Sequence, residues 1–140
     1  MSDMIPFFAS HILIILGIIA FFVIPVVRAK RKTPDIRPRL DIACIYTNII
    51  LAVLYLPLSL VCSLLGMVSE GYMDATPIQS FLCDAIMNLG FYTFLVCIGA
   101  IASSVLLRLR GQSLQGFWYQ FFGLFHFLFL ILLMILLDYV

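Results

Sequence analysis

The chain has 140 residues, 64% of them hydrophobic and only 11% charged, with a net charge of +1. A soluble domain carries about 25% charged residues, and a water-soluble fold of this size has too little interior to hide so much apolar surface. Lipid is therefore the expected solvent, and a nucleic-acid partner is excluded by the near-neutral, cation-poor composition.

The first apolar run covers about residues 5–27. At 1.5 Å per residue its roughly 23 residues reach about 34 Å, enough to cross the hydrocarbon core. It is too long for a signal-peptide core and has neither a basic leader nor a small-residue cleavage site, so it is expected to be retained. Pro6 falls in its first turn, where a missing N–H costs little, and Pro25 falls in its last turn, next to the basic segment.

A basic segment, residues 28–41, follows. Arg28, Lys30, Arg31, Lys32, Arg37 and Arg39 are six of the eight Lys and Arg residues in the chain. Pro34 and Pro38 are expected to keep this stretch non-helical. The other two cations, Arg108 and Arg110, stand together far downstream. Both clusters read as topology anchors that clamp anionic headgroups.

The second span is expected over residues 42–68, with a kink at Pro57 tolerated because neighbouring helices can supply the lost bond. The loop after it holds Glu70 and Asp74 and no cation. Thr76 followed by Pro77 is a helix start signal, and the third span runs over 77–109. GQSLQG, residues 111–116, reads as a short turn. The fourth span covers 117–140, opened by Trp118 and Tyr119 and closed by Tyr139, as interfacial aromatics do.

The fold expected is an all-α integral membrane bundle of four transmembrane helices in one membrane domain, 1–140. Cations concentrate on the cytoplasmic side of membrane proteins. Both basic segments then lie inside, and an even number of spans puts both termini outside. Asp3, Glu70, Asp74, Asp84 and Asp138 fall at or near that outer side. The short loops suit a bacterial inner membrane.

In lipid, helices associate through small and polar residues. On the second span Asn48, Ala52, Tyr55, Ser59, Cys62 and Gly66 share one face. On the third, Asp84, Asn88, Tyr92, Gly99 and Ser103 do the same, and GAIASS adds two small-xxx-small pairs. The fourth offers Gly116, Gly123 and His126; the first offers His11 and Gly17. These stripes form either the bundle core or a polar path or partner groove.

His126 lies roughly 12 Å past Trp118 by helical rise. An ionisable group at such depth is a functional candidate; the bland alternative is a neutral imidazole bonded to Asn48, Tyr92 or a carbonyl. Its difference in depth from His11 disfavours one haem between them. Asp84 and Asp138 read as solvated carboxylates, or else as an acid–base pair at the membrane face. Cys62 and Cys83 both fall at the outer surface by residue count. They would form a disulfide on an oxidising side, or pack as small thiols.

No phosphate loop, serine elbow or HExxH motif is present, no Cys/His group has zinc spacing, and no cofactor is expected. The leading expectation is a non-enzymatic protein acting through intramembrane helix contacts with another membrane protein, as an accessory subunit or a toxin-immunity protein does. Self-association into a small transporter or channel, with Asn48, Asn88 and His126 along its path, is the alternative.

Overall fold

The structure is a computed structural model and describes residues 4–30, 33–68 and 76–140. Asp3, Arg31, Lys32, Glu70 and Asp74 lie outside the described residues, and Gly66 is described by its backbone alone. Among the described residues five helices follow in order: α1 Met4–Ala29, α2 Pro38–Val68, α3 Pro77–Leu109, α4 Ser113–Tyr119 and α5 Phe122–Tyr139. Four stretches of the described residues are long and apolar enough to cross a membrane, with α4 and α5 together making the fourth. The chain is a multi-pass membrane protein of four-helix-bundle type.

The helix boundaries have local causes. At the start of α3 the Thr76 hydroxyl accepts from the Gln79 N–H at 3.3 Å, and the Gln79 side chain accepts from the Thr76 N–H at 3.1 Å. This reciprocal capping box satisfies two orphan donors. Pro38 opens α2 rather than ending a loop, because a proline in the first turn has no needed donor to lose. α2 then continues as helix through Pro57.

The end of α3 is a glycine turn. Gly111 has φ 80°, a left-handed conformation that costs any side chain. Its N–H donates to the Arg108 carbonyl at 3.1 Å, and the Gln112 N–H donates to the Leu107 carbonyl at 2.9 Å. Those two bonds close the helix in the Schellman pattern. The turn is shorter than the sequence suggests, since Ser113 is already helical.

The fourth span corrects the expectation of one continuous helix. It is interrupted at Gln120 and Phe121. Both residues keep right-handed backbone angles, but the Phe121 N–H turns to the Trp118 carbonyl at 3.2 Å, an i−3 bond. Tertiary bonds flank the break: the Ser104 hydroxyl of α3 donates to the Gly116 carbonyl before it, and the Tyr55 hydroxyl of α2 donates to the Gln120 carbonyl at it. A side chain inserted into the ladder of helical bonds is an established source of kinks.

α3 sits at the centre and touches every other helix. Three clusters of buried residues stack along it. One joins Cys62, Cys83, Ile86 and Leu130 of α2, α3 and α5. The middle one joins Phe22, Leu51, Tyr55, Cys97 and Ala100. The third joins Val26, Ala29 and Leu107 beside the basic segment. Large apolar side chains such as Leu13, Val53, Phe81 and Phe91 cover the outside, as a lipid solvent requires.

Candidate functional site

The polar side chains gather inside the bundle. On α2, Asn48, Tyr55, Ser59 and Cys62 are buried, whereas Ala52, read onto the same stripe, is exposed. On α3, Tyr92 and Ser103 are buried, Asn88 is half-buried and Asp84 is exposed. Asp138, near the far end of α5, is exposed too.

Three glycines let the helices close up. A methyl group at Gly99 would collide with the Phe22 ring of α1. One at Gly123 would stand 2.6 Å from the Tyr55 ring, and one at Gly116 would stand 2.8 Å from the Ser104 carbonyl. Each small residue thus admits a neighbour from another helix. Gly17 differs: a methyl there meets nothing within 4 Å.

His126 is held by α3. Its Nε2 lies 2.8 Å from the Leu89 carbonyl and 2.9 Å from the Thr93 hydroxyl. A carbonyl can only accept, so Nε2 carries the hydrogen and Nδ1 is left an acceptor. Thr93 also donates to the Leu89 carbonyl, at 3.0 Å. Of the partners weighed from sequence, the carbonyl is the one found. Tyr92 pairs with His11 of α1 instead, and Asn48 donates to Cys44 Sγ at 3.7 Å. Sequence reasoning passed over Thr93 as a partner, although it stands one turn after Leu89.

His126 also borders a groove of about 470 Å³ between α1 and α5. Gly17 and the rings of Phe21, Phe22, Phe122, Phe125 and Phe129 line it. Phe21 meets Phe122 edge-on with centroids 5.0 Å apart, and Phe22 meets it at 6.1 Å, arrangements that suit aromatic quadrupoles.

Both basic segments meet at one end of the bundle. Lys30 N–H bonds to the Val27 carbonyl, leaving the Val26 carbonyl at the end of α1 to accept from Arg110 Nη1 at 2.7 Å. Arg108 lies 3.5 Å from Asp41 in a partly buried pair. The Asp35 N–H donates to the Gly111 carbonyl at 2.8 Å, and Gln112 Nε2 donates to the Thr33 carbonyl at 3.1 Å. Arg28, Lys30, Arg37 and Arg39 are exposed around this stitched junction, with Arg37 3.3 Å from Asp35.

Cys62 and Cys83 are brought into one buried cluster, and both are thiols there. Among the described residues no group of three His, Cys, Asp or Glu side chains is placed to hold a metal ion. Gln120, fully buried at the α4–α5 break, is the residue sequence reasoning missed. Its signal was a lone amide inside an otherwise aromatic run, WYQFFGLF. No known family, curated protein or solved structure matches this chain.

Proposed function

We propose that this protein acts without catalysis, by holding a transmembrane helix of another membrane protein in the groove between α1 and α5. An accessory subunit of a membrane complex and an immunity protein against a membrane-inserted toxin both work in this way. The observation that carries the reading is Gly17. Glycine weakens a helix by about 1 kcal/mol relative to alanine, and in membranes it earns its place by admitting a second helix. Gly99, Gly116 and Gly123 admit neighbours from within the chain, whereas Gly17 opens onto the groove.

The polar core supports the same reading. Tyr55, Ser104 and His126 spend their hydrogen bonds on carbonyls of neighbouring helices, which is the use expected of intramembrane glue. We place the stitched basic end in the cytoplasm by the positive-inside rule, with both termini on the opposite face.

The test is a photo-crosslinker at Phe125 in native membranes. The expected result is one discrete protein adduct, lost when Gly17→Leu fills the groove. Adducts to lipid alone, unchanged by Gly17→Leu, would overturn the reading. A second reading, a small oligomeric transporter or channel, rests on His126 lining the same groove. Solute flux into liposomes that disappears in His126→Ala would favour it, and flux that persists would remove the histidine from the path.

A further inference from the structure

Among the described residues, the buried side-chain polar atoms that make no hydrogen bond belong to Asn48, Arg108, Gln115 and Gln120. They lie on α2, at the end of α3, on α4 and at the α4–α5 break, toward the basic end of the bundle. Their clustering calls for one explanation, since native interiors leave few such atoms unmet.

Gln120 is the sharpest case. It is 0% exposed, and neither its Oε1 nor its Nε2 is bonded. Its own carbonyl holds the Tyr55 hydroxyl, which fixes the residue against α2. Asn48 is 7% exposed, and its Oδ1 has no partner. Its Nδ2 reaches Cys44 Sγ at 3.7 Å, and Cys44 Sγ is 3.5 Å from Ser104 Oγ. Ser104 in turn donates to the carbonyl of Gly116, one turn before Gln120. Bonds thus link Asn48 through α3 to the α4 carbonyl one turn before Gln120, and Tyr55 ties the Gln120 backbone to α2, so that both amides border one polar cluster of α2, α3 and α4.

The unmet groups define the ligand. Two carbonyl oxygens need donors, and one amide nitrogen needs an acceptor. A cation would serve the oxygens and be repelled by Nε2–H. Asp41, the carboxylate on this part of α2, is already paired with Arg108 at 3.5 Å. An anion would serve the nitrogen and be repelled by the oxygens. Water donates twice and accepts twice, and buried waters typically bridge groups of this kind.

We propose that Asn48 and Gln120 hold water inside the membrane at the α4–α5 break. Arg108 Nε and Gln115 Oε1 lie between this cluster and the basic end and mark the side from which water enters. Gln120 is seven residues into the fourth span, so the hydrated site reaches roughly 10 Å below the surface.

The test is water-to-protein polarisation transfer in solid-state NMR, on the full chain in phosphatidylcholine–phosphatidylglycerol vesicles. The side-chain amides of Asn48 and Gln120 should build up signal as fast as the exposed side chain of Arg39 at the basic end. Thr93, equally buried but bonded within the chain, should build up several-fold more slowly. Gln120→Met should also slow the transfer to Asn48. Slow build-up at both amides in the wild-type chain would overturn the proposal, and that measurement needs no variant to fold. Slow build-up together with sodium-dependent shifts at the two carbonyls would replace water with a cation and overturn it as well.

Discussion

The Tyr55 hydroxyl of α2 bonds to the carbonyl of Gln120, where the fourth span breaks. Its ring lies on Gly123 just beyond that break, so close that a methyl there would stand 2.6 Å away. One side chain thus both bonds at the break and fills the gap beside it. Tyr55→Phe keeps the ring and removes the donor. It should cost about 1 kcal/mol, within the roughly 0.6–2 kcal/mol of single hydrogen bonds between membrane helices, read as a shifted unfolding midpoint in mixed micelles.

Gly123→Ala attacks the same contact from the other side. The added methyl must displace the Tyr55 ring, and overpacking of this kind costs about 1–3 kcal/mol. Gly123→Ala should therefore destabilise the chain more than Tyr55→Phe in the same assay. A neutral Gly123→Ala would show that the two helices do not approach as described.

α1 should loosen before the rest of the bundle. It packs chiefly on α3, and its Phe22 ring lies over Gly99. Gly99→Val should force that ring away. Spin labels at Leu13 and Phe91, both exposed, would then give a broadened distance distribution. The same substitution should leave label pairs between α2 and α3 unchanged.

Gly111 stitches the basic segment to the end of α3. A side chain there must adopt φ 80°, a left-handed conformation costing about 1–2 kcal/mol, and its Cβ would sit 3.1 Å from that of Pro34. Gly111→Ala should lower stability by that amount in micelles. Gly111→Asn should cost less, because asparagine tolerates left-handed angles.

Much of this was legible from the residues. Thr76–Pro77 and the Arg108–Arg110 pair bracket α3 correctly, because a cap and a charge are local signals. α2 begins at Pro38 rather than Ile42, since the same proline that breaks a helix interior is welcome in a first turn. The break at Gln120 was invisible because one of the side chains bonded there, Tyr55, lies 65 residues away. The polar stripes identified Asn48, Tyr55, Ser59 and Tyr92 as inward-facing, but Asp84 on the same stripe is exposed. Periodicity assigns a face; it does not say where along the helix the neighbours stop.

Sidedness decides which compartment the basic clamp and the entry side for water face. Impermeant maleimide labelling of intact cells tests it directly, with the four native cysteines buried and silent. Tyr139→Cys and Ile36→Cys place thiols at positions 87% and 67% exposed, at opposite ends of the bundle. The account predicts that the first is labelled in intact cells and the second only after permeabilisation. The reverse pattern, or labelling of both from one side, would contradict it.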